Sequence, residues 1–151
     1  MGIDVVARNR KARHDYFILE TWEAGIVLTG TEIKSVRSGK VNLKEGFARF
    51  QDGEIWLFQV HISPYESGTY YNHEPARSRK LLLHAAEIRR LIGKIKEKGL
   101  TLIPLSMYIK DGKRAKVELA MVKGKTKHDK RESIAERDAK RSMEKAMKNR
   151  E

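Results

Sequence analysis

At 151 residues the chain is long enough for one domain with an appendage and too short for two ordinary domains. Its 32 lysines and arginines against 20 acids give a formal net charge of +12, a field that draws polyanions: nucleic acid, an anionic membrane or an acidic protein. With no cysteine, a disulfide framework, a thiolate nucleophile and a Cys-based metal site are excluded, and no apolar run approaches the roughly 20 residues that span a bilayer.

In chain order, Met1 to Arg13 reads as a basic arm, with Arg8, Arg10, Lys11 and Arg13 around Asn9 and no apolar core of a signal peptide. A soluble, cytoplasmic protein is expected. Tyr16 to Thr21 and Ala24 to Leu28 are rich in β-branched and aromatic residues and read as two strands. Ile33 and Val36 between Thr31 and Ser38 fit a short helix capped by Thr31 and stopped at Gly39. Asp52-Gly53 joins Gly46–Gln51 to Glu54–His61, and Asp111-Gly112 joins Leu105–Lys110 to Arg114–Val122. Both Asp-Gly pairs supply the positive φ angles of a tight hairpin turn. Ser63 to Arg79 is polar, carries Pro64 and Pro75, and reads as a loop. Ala85 to Lys98 sets Ile88, Leu91, Ile92 and Ile95 at helical spacing before Gly99. Six or seven short strands with one or two short helices predict a mainly β fold, a small antiparallel OB-like barrel, over residues 1–122.

From Lys123 the composition changes. Residues 123–151 hold 11 Lys and Arg, 6 Asp and Glu and no aromatic residue, so they bury too little to offset their own ordering. Ala135, Ala139, Met143 and Met147 nevertheless form a four-residue stripe in a stretch free of Gly and Pro. The expectation is a basic C-terminal tail, disordered when free and helical when bound. A stripe of alanine and methionine is poor for membrane insertion.

Catalytic patterns fail on inspection. Gly25 to Gly30 has P-loop glycine spacing, but Thr31 and Glu32 stand where Lys and Ser/Thr are required; before Gly124-Lys125-Thr126, Leu119 takes the first glycine's place. The five histidines show no paired metal-ligand spacing, and no nucleophile elbow surrounds a serine. No enzyme activity, cofactor or metal is expected.

Several ordered blocks carry a resemblance. They are Asn9-Arg-Lys-Ala-Arg-His-Asp-Tyr-Phe-Ile18, Trp22-Glu-Ala-Gly25, Gly30-Thr-Glu-Ile-Lys-Ser-Val-Arg37 and Gly39-Lys-Val-Asn-Leu43. Further on come His61-Ile-Ser-Pro-Tyr65, Arg77-Ser-Arg-Lys-Leu-Leu-Leu83, Lys98-Gly-Leu-Thr101 and Lys123-Gly-Lys-Thr-Lys-His-Asp-Lys-Arg131. In order and spacing the chain resembles the SsrA-binding protein family (SmpB), the partner of transfer-messenger RNA. The resemblance implies an OB-type barrel that binds the tRNA-like domain of that RNA and brings it to stalled ribosomes for trans-translation. It also implies a tail that enters the decoding centre and mRNA channel, with elongation factor Tu in the same complex and no catalysis. The RNA-binding positions it implies are Asn9, Glu23 and Leu82, with Arg79 and Lys80 alongside; Arg10, Arg13, His14, Lys34 and Arg37 are further candidate RNA contacts. The ribosome-contacting tail positions are Lys123, Lys125, His128, Asp129, Lys130 and Arg131. One departure is Thr126, where family members usually carry a second lysine. Taken residue by residue, Arg79 and Lys80 suit phosphates or a solvated basic loop, Leu82 suits a core, and Asn9 and Glu23 suit caps or turns. His14, Tyr16, Trp22 and Tyr65 suit base stacking, and Trp22 equally suits burial. The rival reading is a basic ribosome-associated or general RNA-binding module without a dedicated RNA.

Overall fold

The computed structural model describes residues 2–65, 72–96 and 99–125, together with residue 141. Among the described residues the elements are, in order, nine strands and three helices: β1 (Ile3–Arg8), α1 (Ala12–Asp15), β2 (Tyr16–Ile26), α2 (Gly30–Arg37), β3 (Val41–Asn42), β4 (Phe47–Gln51), β5 (Glu54–Phe58), β6 (His61–Ile62), β7 (Arg79–Leu82), α3 (Ala85–Ile95), β8 (Leu100–Lys110) and β9 (Arg114–Gly124).

The main sheet runs β1-β8-β4-β5-β7-β2-β9, and β8 also pairs with β9. That last pairing closes six strands into an antiparallel barrel, with β1 added outside the ring along β8. The expected OB-like barrel is therefore the fold. It is built with longer strands than expected: β2, β8 and β9 have eleven residues each. The two strands expected at Tyr16–Thr21 and Ala24–Leu28 are one. Trp22 and Glu23 continue the ladder opposite Leu119 and Glu118, and the register of that ladder shifts only at Leu19. The arm expected before Arg13 forms β1, whose Ile3 and Val5 find partners in Lys110 and Tyr108. Of the described residues in the expected Ser63–Arg79 loop only the last, Arg79, enters a strand, as the first residue of β7.

Both Asp-Gly turns are present. Asp52 and Gly53 have φ of 52° and 81°, and Asp111 and Gly112 have 54° and 67°. The second strand of the later hairpin continues through Lys123 and Gly124, which face Phe17 and Tyr16. The α2 cap is Thr29, not Thr31. Its hydroxyl accepts from Glu32 N–H, while Glu32 Oε1 accepts from Thr29 N–H at 2.8 Å, a Thr-x-x-Glu capping box. Helix α3 ends at Ile95 and Gly99 has a φ of 89°.

Inside the barrel, Ala24, Ile55, Leu57, Leu81, Leu102, Val117 and Leu119 are buried, joined by Val36 of α2 and Leu91 of α3. A second cluster lies around α1, where Ala12, Ile103, Leu105, Ala120 and Val122 meet. Strand β8 is buried on both faces, so its sequence is almost continuously apolar instead of alternating. The Lys116–Leu119 segment of β9 keeps the expected alternation. Gly46 is required by space: a Cβ there would sit 2.7 Å from Val60 Cγ2 and 2.9 Å from Pro104 Cγ.

Candidate nucleic-acid interface

The groove begins with an irregularity in β8. Between Pro104 and Ser106 the register against β9 shifts, leaving Leu105 as a bulge. Asn9 takes up the carbonyls there: its N–H donates to Leu105 O at 2.8 Å and its Nδ2 to Pro104 O at 3.1 Å. Buried Ala12 anchors α1 next to it. The chain from Arg8 to Arg13 is thus pinned at Asn9 and Ala12, with Arg8, Arg10 and Arg13 around an open groove of about 490 Å³. Trp22, Leu105, Ser106 and Tyr108 line it further, and Glu23 and Glu118 supply its acids.

Tyr108 donates from its hydroxyl to Glu23 Oε2 at 2.5 Å, and Lys110 Nζ donates to Oε1 at 3.0 Å. These two hydrogen bonds, tyrosine first, hold the Glu23 carboxyl below its ordinary range. Burial, and then the bond to Glu23, push the Tyr108 phenol well above its usual value. Ser106 donates to Glu118 Oε2 at 3.2 Å.

Of the residues expected at an RNA site, Asn9, Arg10, Arg13 and Glu23 share this groove. His14 lies outside it, with Nδ1 paired to Asp15 Oδ1 at 2.9 Å. Lys34 and Arg37 lie on α2, where Lys34 Nζ stands 5.3 Å from the Tyr65 ring centre and Arg37 Nη2 donates to Gly112 O. Leu82 is not core. It is 51% exposed and faces Gly25, where an added Cβ would come within 3.2 Å of the Leu82 Cβ. The two residues border a second, shallow groove together with Lys113, Arg114 and Lys116. Lys80 stands beside Glu54 at 3.5 Å.

Arg79 is the exception. Alternation along β7 turns Arg79 and Leu81 into the barrel and Lys80 and Leu82 outward, so Arg79 is fully buried. Its Nε donates to Glu32 Oε2 at 2.5 Å, Nη1 to Val60 O at 2.8 Å and Nη2 to Pro75 O at 3.0 Å. A direct phosphate contact, expected for Arg79 from sequence, is closed to a guanidinium so engaged. Burial alone would raise the Glu32 carboxyl. Hydrogen bonds from Arg77, the Thr29 N–H and Arg79 outweigh it and hold the group at about 2.

Lys123 lies in β9, and Lys125 Nζ donates to Arg13 O while standing 5.0 Å from the Phe17 ring centre. Both lysines are therefore tied to the barrel beside α1. His128, Asp129, Lys130 and Arg131 lie outside the described residues. Tyr108 is one of the groove residues that sequence reasoning missed, with Leu105, Ser106 and Glu118: its partner Glu23 is 85 positions away, and no local pattern links them. Among the described residues no three His, Asp or Glu side chains gather to hold a metal ion, and no helix is long and apolar enough to cross a membrane.

Fold and groove together define a small OB-like β-barrel protein with an arginine-rimmed cleft. The SmpB protein family pattern matches residues 6–149. The SsrA-binding protein of Desulforudis audaxviator is 64% identical over 93% of this chain and 92% of its own length. That of Halothermothrix orenii is 58% identical over 99% and 96%. A solved chain described as "tmRNA-SmpB: a journey to the center of the bacterial ribosome" superposes with a TM-score of 0.69 at 53% identity, covering 85% of this chain and 93% of that one. The chain belongs to the SmpB family of SsrA-binding proteins.

Proposed function

We propose that this protein binds the tRNA-like domain of transfer-messenger RNA and brings it to stalled ribosomes for trans-translation. The observation that carries the reading is the gathering of Asn9, Arg10, Arg13 and Glu23 around one groove, in a chain whose relatives are SsrA-binding proteins. Arginines at such a rim neutralise phosphates and release counterions, while polar groups on the floor meet bases. The protein acts by binding, without a chemical step of its own, in the cytoplasm and in a complex that includes elongation factor Tu.

The tail has a separate role. Residues from 126 onward, with His128, Asp129, Lys130 and Arg131 at their start, enter the decoding centre and the mRNA channel. Phosphates there neutralise the lysines whose mutual repulsion opposes a helix in free solution, and the Ala135-Ala139-Met143-Met147 stripe gains a surface to pack on. Lys123 and Lys125 set the direction in which that segment leaves the barrel.

The test is a comparison of affinities. Titrations of the tRNA-like domain and of an ordinary hairpin RNA of equal charge are followed by fluorescence anisotropy across a salt series. The tRNA-like domain binds at least about tenfold more tightly, a difference of about 1.4 kcal/mol. Replacing Arg10 and Arg13 by alanine lowers the slope of log affinity against log salt by about 0.7 to 0.9 for each phosphate no longer neutralised. Equal affinities for the two RNAs sink the reading in favour of a general basic module.

A further inference from the structure

A carboxylate in a groove that attracts a polyanion repels phosphate, so its presence needs a different partner. Glu23 sits among Arg8, Arg10 and Arg13 with its side chain 38% exposed. It is not loosely placed. One oxygen accepts from Tyr108, whose residue is only 7% exposed, and the other from Lys110. Each carboxylate oxygen has two lone-pair sites, so each retains one after these bonds. The result is an anion held at both oxygens on the groove wall, with an acceptor site left on each.

The chemical match for two parallel acceptors is two parallel N–H donors. Among RNA bases the Watson–Crick edge of an unpaired guanine supplies them, from N1–H and the N2 amino group. Cytosine and adenine present one amino donor there, and uracil one imino donor. We propose that Glu23 reads the Watson–Crick edge of one unpaired guanine, and that Tyr108 and Lys110 are positioning residues that aim its carboxylate. Arg8, Arg10 and Arg13 hold the phosphates on either side. This inference rests on the proposed binding of the tRNA-like domain and assigns that groove a base.

The test uses the full-length protein and a pool of tRNA-like-domain transcripts in which inosine replaces guanosine at random. Inosine keeps N1–H and lacks the 2-amino group. Each substitution is marked by a cleavable phosphorothioate, and bound RNA is compared with the starting pool. Inosine at one unpaired position is depleted about tenfold from RNA bound by the unaltered protein. Glu23→Gln erases that depletion, and Tyr108→Phe weakens it while the salt slope stays the same. Lys110→Met is the second positioning variant should Tyr108→Phe fail to fold by thermal melt. The absence of any depleted unpaired guanine, or depletion that persists in Glu23→Gln, overturns the assignment. A depletion unchanged in a folded positioning variant removes that residue from the device. If the unaltered protein does not distinguish the tRNA-like domain from the control hairpin, the proposed function itself has failed and this inference falls with it.

Discussion

At the scale of single residues, the pair Glu32 and Arg79 decides more than its distance from the groove implies. Both side chains are fully buried, and their bonds connect α2, Val60 and the Pro75 segment to β7. Arg79→Met removes one partner and leaves a buried carboxylate facing Arg77 and a single N–H. The loss is about 3 to 5 kcal/mol, read by urea unfolding. Replacing Glu32 and Arg79 together by apolar residues of matching volume costs less than the single change, because no charge is stranded. The same carboxyl gives a pH dependence. Its folded value is depressed from 4.5 to about 2, so the stability it contributes is fully present above 4.5 and disappears as pH falls through about 2. That contribution is on the order of 3 kcal/mol. Urea midpoints measured between pH 5 and pH 2 decline accordingly in the native protein, and decline less in Glu32→Gln.

At the scale of elements, the turns are readable in the sequence and several strands are not. Asp-Gly is a local signal that needs no partner to act, and both hairpins follow from it. β1 and β7 are short, and each becomes a strand only through a ladder with residues far away in sequence, β1 with β8 and β7 with β5 and β2. β2 reads as two pieces because a charged residue beside the aromatic at Trp22-Glu23 looks like an interruption; in the barrel one side chain faces in and the next faces out. The candidate site is legible to the same extent. Charge singles out Arg10 and Arg13, whereas Asn9, Glu23 and Leu82 emerge only from family resemblance, since their surroundings come from β8, Tyr108 and Gly25. Gly46 shows how tightly the elements are fitted. Gly46→Ala pushes a methyl group against Val60 and Pro104 and lowers stability by about 1 to 3 kcal/mol in thermal or urea unfolding. Because Gly46 also borders a separate cleft with Asn9, Lys11 and Ala12, the strain reaches the segment that Asn9 pins.

At the scale of the whole molecule, the proposed function makes barrel and tail separable. A chain ending after Lys125 retains every strand of the described residues, including the Tyr16–Gly124 pairing, and binds the tRNA-like domain with affinity close to that of the full chain. Replacing Asp129, Lys130 and Arg131 by alanine leaves that binding nearly intact while abolishing tagging in a reconstituted stalled-ribosome assay. Ala139→Pro, which breaks the expected helix at a cost of about 3 kcal/mol, cripples tagging on its own. Normal tagging by a tail scrambled over residues 132–151 at constant composition means that charge alone suffices.

The ring closure of the barrel also fixes an order of events during synthesis. β1 and most of β2 pair with β8 and β9, the last strands to leave the ribosome, while β4, β5 and β7 fill the interval. The first residues made are therefore held back from their ladders until almost the entire barrel sequence has been translated. A nascent chain stopped before Leu100 lacks both strands that close the ring, and the apolar side of β2 stays uncovered along most of its length. Closing loops of this span is slow because most of the chain's freedom is surrendered before the pairing energy is recovered. Before Leu100 only the β4–β5–β7 part of the main sheet and the end of β2 have partners there, so the closed ring waits on the completion of the protein's own translation.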